Sequence, residues 1–297
     1  MNPIDKIMEP LSFMSLATGC LPQPIETRVG VRVGYSGPMF PRNQYRPFDA
    51  LRKFVPRGKC QGSVPACNWY TTGKAYQTVY AFTTGKPYPQ VSYCAGYQED
   101  TGGDFNAGTL PINSIRAIAE RGLFPVSDAL PEWFNRPRQI PADAVSGRKL
   151  FRADEWEEAR TAEEIISALL NADVANIGID WYAQDVNPGP TGQLGLRGRL
   201  VGGHSVLACG VVMDYQPSPS RIGILFNNHH GDSQTPATVD ERGNRLQFPS
   251  WGDDGFGVVP IERVVEGAAK YGCWVLRTVM MRSGDLSDVP DPVFKAA

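Results

Sequence analysis

The stretch Gln61-Gly62-Ser63-Val64-Pro65-Ala66-Cys67-Asn68-Trp69-Tyr70 decides how this 297-residue chain folds. It places an amide side chain shortly before a cysteine, with a loop containing Gly62 and Pro65 between them. From Asn68 to about Phe82 the pattern predicts a helix with Tyr70, Gly73, Gln77 and Tyr80 on one face. Cys67 then stands at a helix N-terminus, where free backbone N–H groups and the helix dipole favour thiolate over thiol. Gln61, on the approaching loop, is placed to aim its amide N–H at the same spot. A thiolate beside an amide donor suits acyl transfer through sulfur: one group attacks a carbonyl and the other steadies the oxyanion. Taken alone, the same residues also describe a core cysteine at a helix start.

A second stretch favours chemistry. Val201-Gly202-Gly203-His204-Ser205-Val206-Leu207-Ala208-Cys209-Gly210-Val211 reads as a buried strand with a histidine at its mouth. Ile222-Gly223-Ile224-Leu225-Phe226-Asn227-Asn228 reads as a second apolar strand ending in asparagines. Side by side, the strands let Asn228 fix the tautomer and ring orientation of His204, and let His204 take the thiol proton. A one-residue slip would give the orienting role to Asn227 instead.

Gln-Gly-x-x-x-Ala-Cys, Gly-Gly-His-Ser-Val-Leu-Ala, Phe-Asn-Asn-x-x-Gly and Ser250-Trp251-Gly252-Asp253-Asp254-Gly255-Phe256-Gly257 together resemble the papain family of cysteine peptidases, in its bacterial and phage-type members. The cysteine-to-histidine separation, 204 − 67 = 137, lies within the ~130–150 residues of papain-like enzymes. The resemblance implies an α+β, two-lobed fold, with a helical lobe led by the Cys67 helix, an antiparallel β lobe carrying His204 and Asn228, and a cleft between them. It implies a peptidase with Cys67 as nucleophile, His204 as its base, Asn228 as orienting residue, and Gln61 with the Cys67 N–H as oxyanion hole. The acidic, glycine-bearing loop Glu99–Gly108 resembles the one that lends its backbone to the substrate peptide, with Gly108 as the contact; a plain helix-start loop is the alternative. Trp181, Tyr182 and Trp251 are expected along the cleft. No cofactor or metal is implied.

Composition narrows the rest. Net charge is −2 with lysine and arginine scattered, which offers nothing to nucleic acid or a membrane surface. No apolar run approaches the ~18 residues of a membrane span. The six cysteines show no dense disulfide spacing, and Val64 stands where secreted relatives often carry a cysteine. A cytoplasmic or virion-associated setting is favoured over a secreted one, with a single Cys60–Cys94 bridge left open. Three histidines, His204, His229 and His230, lie close in sequence, but adjacent strand residues point to opposite faces and no zinc-binding helix motif is present.

The chain divides into an N-terminal segment (1–28), a peptidase domain (29–283, helical lobe roughly 57–135 and β lobe roughly 145–283) and a tail (284–297). Leu16-Ala17-Thr18-Gly19-Cys20 faintly resembles a lipoprotein cleavage site, without the basic start of a signal. No long helical pro-segment pattern precedes Cys67, so an inhibitory latch of that kind is not expected. Residues 1–28 are instead expected to dock on an assembly partner. Val29–Val33 alternates like a strand. Ile112–Arg121 reads as a helix closed by Gly122, Phe124–Leu150 as mostly irregular, Thr161–Glu164 as a capping box opening a helix, and Val174–Trp181 as a strand.

Two departures from the family pattern stand out. His229-His230 replaces the Ser-Trp whose indole shields the asparagine–histidine bond. Asp232–Pro249 is inserted, with Ala237–Phe248 reading as a polar hairpin and a second candidate partner surface. The expected substrate is a peptide or protein. Two rival functions remain: a cell-wall peptide hydrolase, with a phage particle as one setting, and a papain-shaped binding or structural module with little catalysis.

Overall fold

The computed structural model describes residues 18–28, 32–153, 156–236, 238–239, 245–246 and 250–277. The C-terminal tail, Leu16 and Ala17 of the lipoprotein-like stretch and most of the inserted hairpin lie outside these residues.

Helix α1, Cys67–Thr84, is the axis of the molecule. Its residues from Cys67 to Ala81 are all buried, polar ones included, so it is enclosed on every side rather than amphipathic. Gly85, in the left-handed conformation, closes it. Two glycines let neighbours come close. A Cβ on Gly73 would lie 2.4 Å from the Tyr93 ring, and one on Gly96 would lie 2.1 Å from the Trp69 indole.

The helical lobe adds α2 (Tyr93–Thr101) and α3 (Pro111–Glu120). α2 runs into the start of the stretch read from sequence as an acidic loop, Glu99–Gly108. Its helical stripe is weak because Gly96 and the polar Gln98–Thr101 interrupt it. Strands β2 (Val91–Ser92) and β3 (Phe124–Pro125) pair antiparallel, and α4 (Ala142–Gly147) lies within the stretch expected to be mostly irregular.

The β lobe is a seven-stranded sheet of β1 (Arg32–Val33), β4 (Trp156–Glu158), β5 (Val174–Tyr182), β6 (Leu200–Met213), β7 (Ile222–Asn227), β10 (Phe256–Pro260) and β11 (Cys273–Leu276). Its order is β1-β4-β11-β5-β6-β7-β10, antiparallel throughout except for β1 with β4. Helices α5 (Ala162–Leu170) and α6 (Ile261–Tyr271) pack on it. The capping box is present: Thr161 Oγ1 accepts from the Glu164 N–H, and the Glu164 carboxylate accepts from the Thr161 N–H.

The central strands run against α1, and the contact is a polar seam. Asn176 donates to Thr72 Oγ1 at 2.9 Å and accepts from Ser205 Oγ at 2.7 Å. These buried groups satisfy each other, so they set the register between lobes without leaving orphans. At the insertion, β8 (Thr238–Val239) pairs antiparallel with β9 (Arg245–Leu246). The Trp251 N–H donates to Gly231 O at 3.1 Å, closing the insertion at its base.

Among the described residues no helix is long and apolar enough to cross a membrane. All six cysteines are free and buried, so the Cys60–Cys94 bridge is absent; the Tyr70 hydroxyl donates to Cys60 O and lies 4.0 Å from Cys94 Sγ.

Candidate active site

Cys67 opens α1 and is wholly buried. Burial pushes its thiol up to about 11, although backbone N–H groups of Ser205, Gly19, Asn68 and Cys67 itself pull the other way. The sulfur therefore sits in a ring of amide donors suited to a thiolate, under a cover that withholds water.

His204 lies on β6, opposite Ile179 of β5. Its Nε2 is 2.8 Å from Asn228 Oδ1, and its Nδ1 is buried with no hydrogen-bond partner. Asn228 follows the end of β7, held there by its own N–H to Gly255 O at 2.8 Å. Burial lowers the imidazole to about 4, against the raising effect of Asn228. Under this cover, thiol and imidazole are both neutral, not the ion pair expected from the helix N-terminus alone. Desolvation outweighs the dipole when no water reaches the site.

The two asparagines have different partners. Asn227 Oδ1 accepts from Lys74 Nζ at 2.6 Å, and its amide donates to Gly255 O at 3.0 Å. Lys74 also donates to Asn228 O at 3.0 Å. Lys74 is two turns beyond Cys67, so one helix carries the cysteine and braces the asparagines. Burial lowers this lysine from 10.5 to about 7, with Asp232, Glu132 and Cys60 raising it and Lys59 lowering it.

Gln61 is buried, and its Nε2 donates to Val64 O at 2.9 Å, within the turn before Cys67. The Gln61 N–H reaches His229 O at 2.9 Å, and Cys60 forms an isolated bridge with His230. The His-His pair thus joins the glutamine loop to the asparagine strand.

Trp181 and Trp251 do not line an open cleft; both are fully buried in the β-lobe core. Trp181 lies on His204, with ring centroids 4.5 Å apart, and meets the His230 ring edge-on. Trp181 thus gives His204 an apolar cover from β5. Trp251 donates to Asp185 O at 3.0 Å. Tyr182 is buried as well. Strand alternation allowed either face of β5 to meet a cleft, and the sheet's double cover buried both.

The chain's own N-terminal stretch crosses the site. Cys20 N–H donates to Gly203 O at 3.0 Å on the β lobe. On the helical lobe, Leu21 N–H donates to Thr109 O at 2.9 Å and Thr109 N–H donates to Gly19 O at 2.8 Å. The backbone contact with this stretch is made by Thr109, one residue beyond Gly108. Gly108 supplies the clearance, since a Cβ there would lie 2.8 Å from Leu21 Cδ2 and 3.0 Å from Gly19 O. Asn68 holds Thr109 through its Oγ1 at 2.9 Å and its carbonyl at 2.7 Å. Farther on, Arg28 is buried against Glu158, Gln23 O and the last carbonyls of α6. Residues 18–28 are thus docked on their own chain, as an extended stretch rather than a helical pro-segment. Arg28 and Thr109 carry no motif, and only their partners across the fold mark them.

No protein-family model matches the sequence, and no curated protein matches it significantly. Solved structures do. Xylellain, a cysteine protease from Xylella fastidiosa, matches with a TM-score of 0.57 and 15% identity, covering 83% of this chain and 96% of that one. Digestive procathepsin L 3 of Tenebrio molitor larval midgut matches at 0.58 and 14%, covering 89% and 76%. This chain has a papain-like fold. The proform of the ragweed pollen allergen Amb a 11, a cysteine protease, gives 0.56 and 16%, covering 78% and 66%. In this fold, Cys67 opens α1, His204 lies on β6, and Asn228 follows β7.

Proposed function

We propose that this chain is a cysteine peptidase held closed by its own residues 18–28. One observation carries the reading. His204 is tied through Nε2 to Asn228, which leaves Nδ1 unpartnered, while the N–H of the next residue, Ser205, is aimed at Cys67 Sγ. That tautomer is the one a general base beside a thiol requires.

In the open enzyme, Cys67 loses its proton to His204 and attacks the peptide carbonyl. The Cys67 N–H and the Gln61 amide take the oxyanion, the amide turning from Val64 O. The imidazolium protonates the leaving amine as the C–N bond breaks. Water, deprotonated by His204, then hydrolyses the thioester and restores the thiol. Asn228 holds the ring in register through both steps. The likeness to solved cysteine proteases supports this activity.

The test is turnover of a denatured protein beside purified cell wall, by full-length chain and by a Gly19→Ala variant that loosens the cover. Protein cleavage that disappears with Cys67→Ala is expected. Cleavage confined to cell wall would move the substrate class, and turnover unchanged by Cys67→Ala would overturn the assignment.

A further inference from the structure

The cover crosses the nucleophile with a cysteine. Cys20, Cys67 and Tyr271 form a small buried cluster of their own, apart from the two large cores. The residue before Cys20 aims its N–H at Cys67 Sγ. Cys20 is pinned from both sides, by its N–H to Gly203 O and by its bridge with Thr109. Several glycines make the space: a Cβ on Gly19 would lie 2.1 Å from Pro65 O, one on Gly203 would lie 2.1 Å from Cys20 O, and one on Gly178 would lie 3.2 Å from Cys20 Sγ. The other cysteines stand elsewhere: Cys94 and Cys209 in one core, Cys273 in the other, and Cys60 beneath the Gly62 N–H. Both thiols are free.

We propose that Cys20 and Cys67 are a dithiol site, oxidised by a low-molecular-weight disulfide to a bridge that locks the N-terminal stretch over the nucleophile. The meaning of the lock rests on the peptidase reading; the bridge itself does not. The exchange starts when the stretch lifts. The Cys67 thiolate attacks one sulfur of the small disulfide, whose S–S bond breaks and releases one small thiolate. The Cys20 thiolate then attacks the Cys67 sulfur of the mixed disulfide and releases the second. The two protons of the protein thiols end on the two small thiols. A reducing thiol reverses both steps and frees Cys67.

The test uses the full chain with oxidised glutathione, quenched in acid, alkylated and mapped by mass spectrometry without reduction. A peptide joining Cys20 to Cys67, reversed by dithiothreitol, is expected, with Cys67 alkylation lost on oxidation and regained on reduction. Cys20→Ser should instead carry one glutathione on Cys67. Persistence of both free thiols in the folded chain, pairing of Cys67 with any other cysteine, or the same glutathione adduct in wild type and Cys20→Ser would overturn the proposal. A bridge that forms in a chain whose reduced, loosened form cleaves nothing would leave the dithiol site standing and sink the peptidase reading instead.

Discussion

Replacing Arg28 with methionine should free the N-terminal stretch from the site. The guanidinium donates to Glu158 Oε1 at 2.7 Å, to Ala268 O and Ala269 O at 2.8 Å each, and to Gln23 O at 2.6 and 3.0 Å. Two of those acceptors are in the last turn of α6, where the dipole presents its negative end. Methionine keeps the apolar stem and removes every donor. Breaking a buried pair by removing one partner costs about 3–5 kcal/mol. Glu158 keeps a second cation, with Arg160 Nη2 at 2.6 Å, so the low end applies. At about 1.4 kcal/mol per factor of ten, the fraction of open chain rises roughly a hundredfold. Because Cys67 is wholly covered in the closed state, its alkylation rate should rise by the same factor. Timed iodoacetamide labelling with peptide mapping reads this directly, and the sheet-core Cys209 and Cys273 report whether the fold survives. A Cys67 rate equal to wild type, with both core cysteines still protected, would refute the idea that Arg28 anchors the cover.

Gly19→Ala should loosen the same cover from its other end, because the new methyl meets the Pro65 carbonyl; unchanged Cys67 labelling would count against this stretch's role as a lid. In a loosened background, Asn228→Ala should cut kcat about ten- to hundredfold, the worth of a hydrogen bond to a charged group, with little change in KM; an equal rise in KM would point to substrate binding instead. Stability should fall as the pH drops from 6.5 to about 4, because the unfolded histidine binds its proton near 6.5 while buried His204 resists until about 4. The loss should reach up to about 3 kcal/mol, and His204→Gln should lose less over that window in urea titrations; parallel curves would remove His204 as the cause. By the same linkage, buried Lys74, lowered from 10.5 to about 7, should make stability rise from pH 7 until unfolded thiols ionise near pH 9, and Lys74→Gln should flatten that rise.

The sequence by itself determined the two strands, the Cys67 helix and the residue types that meet between them. Those signals are local: Gly and Pro before Cys67, a run of apolar residues around His204, a capping box at Thr161. The helix α2 escaped because its residues are buried by neighbours' shape, with Trp69 seated on Gly96, rather than by a helical stripe. Tertiary structure decided between the asparagines, since Lys74 takes Asn227 and leaves Asn228 to His204. It also moved Trp181 and Trp251 from cleft to core. Above all, it laid residues 18–28 against Cys67 and the start of the His204 strand, which no spacing announces. A strand that binds by backbone N–H and C=O groups leaves little trace in side-chain pattern, and its partners Thr109, Gly203 and Glu158 are remote in sequence. The same cover reversed the electrostatic expectation. A helix N-terminus favours a thiolate only where water can share the charge, and whether water reaches Cys67 is settled by the fold.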